Sequence, residues 1–142
     1  MERSSGAAPP RQTGRSDEPG DGAGQRLAIS VETGGHDISV FALSGELDLS
    51  TIPLLERRLL DEVRSTSAVV VDLTAVSFID SSGIGLLIQA FRSGGDSERL
   101  HTVISDGSQV ERVFRLAGID RALPLYMDRH GAIEALNGVA SD

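Results

Sequence analysis

A chain of 142 residues, 39% of them hydrophobic, can bury one core but is short for two independent domains. Its net charge of −8 disfavours binding to the phosphates of a nucleic acid, so proteins are the expected partners. The absence of cysteine excludes disulfides and thiolate chemistry. All 13 basic residues are arginines, and the absence of lysine excludes a P-loop phosphate site and a receiver domain.

The first 24 residues differ in composition from the rest of the chain. They contain three of the five prolines and almost no apolar residues, which predicts a disordered tail over residues 1–24 and one folded domain over residues 25–142. No apolar run approaches the roughly 20 residues of a membrane span, and the first residues lack the apolar block of a secretory signal. We therefore expect a cytoplasmic protein that contacts neither a membrane nor nucleic acid directly.

The folded domain opens with two predicted strands. Residues 27–31 alternate in polarity, residues 33–36 include two adjacent glycines, and residues 38–43 form a second extended run. Strands joined by so short a turn pair with each other, so the sequence predicts an antiparallel β-hairpin at this point.

A helix and a buried strand are predicted next. Ser50 or Thr51 can cap a helix that has Pro53 in its first turn and ends near residues 64–65. The apolar residues of this helix share one face: Ile52, Leu55, Leu59 and Val63. Residues 68–73 are a continuous run rich in β-branched residues, which is typical of a central strand covered on both faces.

Two more helices follow, with a strand between them. Residues 79–83 predict a crossing from a strand into a helix that stops at residues 93–95. Its apolar residues recur at helical spacing: Ile84, Leu87, Ile88 and Phe91. Residues 100–104 predict a strand, residues 105–108 a turn and cap, and a third helix then runs as far as Gly118. The apolar face of that helix consists of Val110, Val113, Phe114 and Ala117.

The complete pattern predicts an α/β fold. A short strand near residues 123–126 and a last helix over residues 132–136 complete the order ββαβαβαβα. Strands that alternate with helices imply right-handed crossovers, hence a mostly parallel sheet with helices packed against it. Functional loops of such sheets lie at the carboxyl ends of strands. Two loops of this kind are prominent, over residues 44–50 and residues 77–83.

These two loops resemble those of the STAS domain family. Residues 43–48, LSGELD, are similar to its G-E-L-D loop, and residues 76–86 contain its pattern D-S-S/T-G-h-G, in which h is hydrophobic. Residues 110–119 resemble the third helix of the family. The resemblance spans about residues 27–136 and implies the STAS fold. Residues 94–99 depart from it, because they are longer and more charged than the usual turn, which bears on the choice of partner.

The resemblance also implies the role of an anti-sigma factor antagonist. In that branch of the family, the serine directly after the aspartate is phosphorylated by an anti-sigma factor that is also a serine kinase, and that position is Ser81 here. The unphosphorylated antagonist binds the anti-sigma factor and frees the sigma factor, and a PP2C-type phosphatase restores it. The implied partner-binding residues are Glu46, Asp48, Asp80, Ser81, Ser82, Gly83 and Gly85.

The chemistry of these residues suits a switch. A hydroxyl in the first turn of a helix lies beside unpaired N–H groups and the positive end of the helix dipole, where a phosphate is tolerated. A phosphate on Ser81 adds a charge of about −1.5 to −2 beside Asp80 and within reach of Asp48, and we expect it to repel the partner without refolding the domain. Gly83 and Gly85 are expected to let the partner approach closely, so alanine at Gly83 should weaken binding more than stability.

Without the resemblance, the same residues have plainer interpretations. Ser81 and Ser82 are also typical of helix caps, Asp80 of a residue that interacts with the helix dipole, and Asp48 of one that organises its own turn. Asp72 resembles a phosphorylated aspartate in its position, but the chain lacks the lysine of such a site, so we expect a structural role.

No enzyme and no metal site is expected. His36, His101 and His130 lack the spacing of a zinc site. Ile79 occupies the place where the G-x-S-x-G elbow of hydrolases requires glycine, which argues against a nucleophilic serine. We therefore expect no catalytic residue, metal or cofactor. Three alternatives stay open: a STAS module for a nucleotide or lipid-like ligand, a scaffold outside sigma-factor control, and a small esterase with a base near Ser81.

Overall fold

The structure is a computed structural model that describes four stretches of the chain: residues 26–35, 37–65, 68–94 and 99–141. The prediction of a disordered tail over residues 1–24 lies outside these stretches. His36 and residues 95–98, the middle of the segment that departs from the family pattern, lie outside them as well. Within the described stretches, no helix combines the length and the apolar character needed to cross a membrane.

In the described stretches, five strands form one sheet: β1 Leu27–Gly35, β2 Ile38–Leu47, β3 Ala68–Ile79, β4 Leu100–Val103 and β5 Leu125–Tyr126. Their order in the sheet is the same as their order in the chain. β1 and β2 pair antiparallel, and every later pair of neighbours is parallel. The predicted hairpin and the predicted mostly parallel sheet are therefore confirmed.

The part of the chain that the structure describes also contains four α-helices: α1 Ile52–Ser65, α2 Ser81–Ser93, α3 Gln109–Ala117 and α4 Arg129–Ser141. The predicted order ββαβαβαβα is confirmed. α3 has both of its predicted ends, since Ser108 accepts a hydrogen bond from the N–H of Glu111 at 3.0 Å and Gly118 has a φ of 76°. A single 3-10 turn, Ile119–Arg121, follows and was not predicted.

Most of the core lies between one face of the sheet and the helices α1, α2 and α3. Phe41 and Val71 belong to this core from β2 and β3, together with Leu59 of α1, Leu87 of α2 and Phe114 of α3. Each of these side chains is at most 1% exposed. Burial of a side chain of this size contributes about 2 kcal/mol, so these contacts hold the three helices on the sheet.

α4 covers part of the opposite face. Ala132 and Leu136 form a second apolar cluster with five residues of the sheet: Ile38, Val40, Ala68, Val70 and Val103. Arg129, at the start of α4, donates hydrogen bonds to Asp72 of β3 at 2.6 Å and to Glu32 of β1 at 2.8 Å. Asp72 is buried. The structural role that the sequence analysis predicts for Asp72 is thus confirmed.

β2 and β3 extend farther than the sequence predicts. Their pairing continues past two register shifts and ends with Leu47 beside Ile79. Residues 44–47 and 77–79 therefore lie in strands, and the prediction that they lie in loops is wrong. A register shift inserts a residue without ending the pairing, which a pattern of apolar residues does not reveal.

Candidate functional site

Asp80 connects the carboxyl ends of β2 and β3. One carboxylate oxygen accepts hydrogen bonds from the N–H groups of Ser82 at 2.9 Å and Gly83 at 3.3 Å, and so caps α2. The other oxygen accepts a hydrogen bond at 3.3 Å from the N–H of Leu49, in the turn that follows β2. A single side chain therefore fixes the start of α2 against the neighbouring turn.

Ser81 is the first residue of α2, and it is exposed. Its hydroxyl makes no hydrogen bond to any residue that the structure describes. Because Asp80 is the cap, the plainer interpretation of Ser81 and Ser82 as caps is wrong. An exposed hydroxyl beside a helix N-terminus meets the access that the predicted phosphorylation requires. The phosphorylation itself stays a prediction.

Asp48 organises the turn between β2 and α1. One of its carboxylate oxygens accepts hydrogen bonds from the hydroxyl of Ser50 at 2.8 Å and from the N–H groups of Ser50 and Thr51 at 3.0 and 3.1 Å. The hydrogen bond from the Ser50 hydroxyl is the main reason why the pKa of Asp48 is lowered, and burial opposes it. Asp48 is therefore negatively charged at neutral pH, and its contact with a partner remains a prediction.

Thr51 stabilises the same turn through its buried hydroxyl. Its side chain is 1% exposed, and its hydroxyl donates a hydrogen bond to the carbonyl of Glu46 at 2.9 Å and accepts one from the N–H of Asp48 at 3.0 Å. Glu46 is half-buried and pairs with Phe78 in the sheet. Glu46, Asp48 and Asp80 thus share one edge of the sheet, as predicted from the parallel arrangement.

Gly83 and Gly85 have different surroundings. A Cβ atom on the buried Gly83 would lie 2.7 Å from Cγ1 of Ile79 and 2.9 Å from the carbonyl oxygen of Leu47. The expectation that Gly83 leaves room for a partner is therefore wrong, because β2 and β3 fill that room and glycine allows α2 to pack closely. Gly85 is exposed, and a Cβ placed on it meets no other part of the described chain within 4 Å. Close approach of a partner at Gly85 remains a prediction.

Three large apolar side chains are exposed in the turn and helix that follow β2 and near the end of β3. Leu49 is 74% exposed, Leu54 in the first turn of α1 is 55% exposed, and Phe78 near the end of β3 is 42% exposed. Protein contact surfaces contain exposed apolar side chains, so Leu49, whose N–H binds Asp80, is a candidate contact residue. The sequence analysis missed these residues, although a leucine between two polar residues of a turn was an available signal.

Gln109, the first residue of α3, was also missed. Its side-chain oxygen accepts a hydrogen bond from the N–H of Ile79 at 3.0 Å, and its side-chain nitrogen donates one to the carbonyl of Ile79 at 3.2 Å. α3 therefore contacts the residue directly before Asp80. The sequence offers no signal for this contact, because a glutamine at the start of a helix usually faces solvent.

His101 and His130 lie apart from this site. His101 is buried in β4 and stacks on Tyr126, with ring centroids 5.1 Å apart. His130 pairs with Glu134 at 3.1 Å on the surface of α4. Over the residues that the structure describes, no group of three or more histidine or carboxylate side chains is arranged to hold a metal ion.

Comparison with known proteins identifies the family. The model of the STAS domain matches residues 29–132. The chain belongs to the STAS domain family. The match includes every site residue from Glu46 to Gln109, so the resemblance inferred from the two motifs is confirmed. Anti-sigma-F factor antagonist RsfB of Mycobacterium tuberculosis is 31% identical to this STAS chain over 113 residues, which cover 78% of this chain and 92% of RsfB.

Solved structures agree with the STAS assignment. The crystal structure of an anti-sigma factor antagonist from Mycobacterium paratuberculosis has a TM-score of 0.72 and 31% sequence identity, over 78% of this chain and 94% of that chain. The anti-sigma factor antagonist SpoIIAA in its unphosphorylated form has a TM-score of 0.64 and 23% identity, over 78% of this chain and 97% of that chain. The expected STAS fold is therefore confirmed.

Proposed function

We propose that this STAS domain is an anti-sigma factor antagonist that is switched at Ser81. The unphosphorylated form binds a kinase-type anti-sigma factor in the cytoplasm and releases the sigma factor, and phosphorylation of Ser81 blocks this binding. The exposed hydroxyl of Ser81 at the start of α2 carries the proposal. The anti-sigma factor antagonists among the relatives support the class of partner.

The phosphoryl transfer needs no catalytic group from this chain. The anti-sigma factor supplies ATP; the Oγ of Ser81 bonds to the γ-phosphorus, the bond to ADP breaks, and the hydroxyl proton passes to a base of the kinase. A PP2C-type phosphatase then hydrolyses the phosphoserine and restores the hydroxyl. In this cycle the chain is a substrate and a binding partner, and the two enzymes are its partners.

The geometry supports a switch that acts through charge. The N–H groups of Ser82 and Gly83 already bind the carboxylate of Asp80, so a phosphate on Ser81 finds them occupied. Its charge of about −1.5 to −2 is then added to the charges of Asp80 and Asp48. A partner surface that fits the unmodified site meets concentrated negative charge after phosphorylation, and like charges across an interface oppose association.

The test uses the purified chain, candidate kinase-type anti-sigma factors and ATP, with the phosphate located by mass spectrometry. We expect phosphate on Ser81, persistent binding of Ser81→Ala in the presence of ATP, and at least about tenfold weaker binding of Ser81→Asp. Ser65→Ala changes an exposed serine at the far end of α1 and should behave like the unchanged chain. Phosphate on another residue alone, or full affinity of Ser81→Asp, contradicts the proposal.

A further inference from the structure

The carboxyl half of β3 extends past its neighbour β4. Among the described residues, β4 pairs with residues 69–72 of β3 and with no later residue of that strand. Backbone groups of successive residues in a strand point to alternate edges, and the N–H of Asp80 points toward β2, where it donates to the carbonyl of Leu47 at 3.2 Å. The N–H and carbonyl of Ile79 therefore point to the opposite edge, beyond the end of β4.

Beyond the end of β4, the side chain of Gln109 occupies the position beside β3 that a neighbouring strand would have. Its amide accepts from the N–H of Ile79 at 3.0 Å and donates to the carbonyl of Ile79 at 3.2 Å. Ile79 is 1% exposed, so its backbone groups need partners within the protein. One side chain thus supplies the pair of hydrogen bonds that a neighbouring strand would make. We call the two hydrogen bonds between Gln109 and Ile79 the clamp.

The start of α3, which carries Gln109, is held firmly in place. Ser108 caps α3 through the N–H of Glu111 at 3.0 Å, and the carboxylate of Glu111 accepts from the N–H of Gly107 at 2.7 Å. Val110 is fully buried in the core directly after Gln109. The backbone of Gln109 is therefore fixed by both the cap and the core.

We propose that Gln109 is a positioning residue for the phosphoacceptor Ser81, an inference that rests on the proposed function. The carbonyl of Ile79 and the N–H of Asp80 belong to one peptide plane, which Gln109 holds from one edge and Leu47 from the other. That plane sets the extended backbone of Asp80, with a φ of −117°, and so places its capping carboxylate. Because Ser81 follows Asp80 directly in the chain, the position of its hydroxyl depends on the position of this peptide plane.

Three variants of the full chain test the clamp. Gln109→Met keeps the approximate length of the side chain and removes both hydrogen bonds, whereas Gln109→Glu keeps an acceptor for the N–H of Ile79 and removes only the donor to its carbonyl. Gln89→Met changes an exposed glutamine on α2 and is the matched control. We expect the N–H of Ile79 to exchange with solvent about tenfold faster in Gln109→Met, by nuclear magnetic resonance on the chain alone, and at an unchanged rate in Gln89→Met.

The second measurement is phosphorylation by the anti-sigma factor kinase. We expect kcat/KM for Ser81 to fall about tenfold in Gln109→Met and Gln109→Glu, because a small misplacement of a reacting group lowers the rate steeply. Gln89→Met should leave kcat/KM unchanged. Circular dichroism on the same samples confirms that the variants are folded, and if Gln109→Met fails to fold, the kcat/KM of Gln109→Glu decides.

Each outcome has a defined meaning. Unchanged exchange of the Ile79 N–H in a folded Gln109→Met overturns the clamp, whether or not a kinase acts on the chain. Faster exchange with unchanged kcat/KM leaves Gln109 a structural residue and overturns its positioning role. An unchanged chain that no kinase-type anti-sigma factor phosphorylates overturns the proposed function, and the positioning of a phosphoacceptor with it.

Discussion

Gly83 and Gly85 lie two residues apart in α2, yet alanine should have opposite effects on stability at the two positions. At Gly83 the added Cβ would lie 2.9 Å from a backbone carbonyl oxygen, that of Leu47, and such overpacking lowers the free energy of unfolding by about 1–3 kcal/mol. At Gly85 the space is open, and the higher helix propensity of alanine should raise the free energy of unfolding by up to about 1 kcal/mol. Urea unfolding measures both, and equal values would contradict tight packing of α2 on β2.

Leu49 should contribute to partner binding through its exposed side chain. Leu49→Ser removes apolar area beside Asp80, and we expect at least about tenfold weaker binding to the anti-sigma factor, because burial of a leucine side chain in an interface contributes about 2 kcal/mol. Leu116→Ser is the matched control, since Leu116 is 81% exposed but lies in the last turn of α3. Isothermal titration calorimetry measures both affinities. Equal losses of affinity in Leu49→Ser and Leu116→Ser would mean that the contact surface lies elsewhere.

The sequence predicts where the candidate site residues lie better than it predicts their local structural roles. The resemblance to the STAS motif points to Asp80 and Ser81, but aspartate and serine both cap helices, so only the structure shows that Asp80 is the cap. The role of Gly83 depends on the distance between α2 and two strands, and that of Gln109 on where β4 ends. Distances between elements far apart in the chain are not encoded in any local pattern.

At the scale of the elements, Arg129 links α4 to β3 and β1, and this link depends on pH. Burial raises the pKa of Asp72, but the hydrogen bonds from Arg129 and Thr74 outweigh it, so the pKa is lowered overall. A carboxyl group whose pKa is lower in the folded chain stabilises the fold above its unfolded pKa of about 3.9. This contribution is lost as the pH falls from there through the folded pKa.

Asp72→Asn should remove this pH dependence. At about pH 7 we expect the free energy of unfolding to fall by about 2 kcal/mol, because Arg129 loses a charge-assisted hydrogen bond. Below the unfolded pKa the difference between the variant and the unchanged chain should shrink. Urea unfolding at several pH values measures it, with the exposed turn residue changed in Asp106→Asn as the control. A difference that is constant with pH would show that the charge of Asp72 does not stabilise the fold.

The order of the elements could be predicted, but several of their ends could not. The periodicity of apolar residues places each strand and each α-helix, yet β2 and β3 continue through register shifts that no periodicity marks. α4 begins at Arg129, earlier than predicted, because Asp128 accepts a hydrogen bond from the N–H of Gly131 at 2.7 Å. That aspartate was a capping signal in the sequence, whereas the register shifts had no local signal.

At the scale of the whole molecule, the candidate site at Ser81 and the second apolar cluster under α4 lie in different parts of the fold. Ser81 and Asp80 lie at the carboxyl edge of the sheet, while α4 packs on the face opposite to α1, α2 and α3. The Ser81 hydroxyl makes no hydrogen bond in the described part of the chain. Modification of this hydroxyl therefore breaks no hydrogen bond that holds the fold together. This arrangement allows the surface to change while the fold stays the same.

Ser81→Asp should therefore keep the fold and change only the neighbourhood of the site. We expect chemical shift changes confined to about residues 47–51 and 80–85, with Ala132 of α4 unaffected, because only backbone groups near Asp80 adjoin the new charge. Ser93→Asp is the matched control, since a negative charge is favourable at the start of α2 and unfavourable at its end, by about 0.3–1 kcal/mol in each case. Thermal unfolding should thus rank Ser81→Asp above Ser93→Asp. The reverse ranking, or shift changes that extend to α4, would mean that charge at Ser81 acts by refolding the domain.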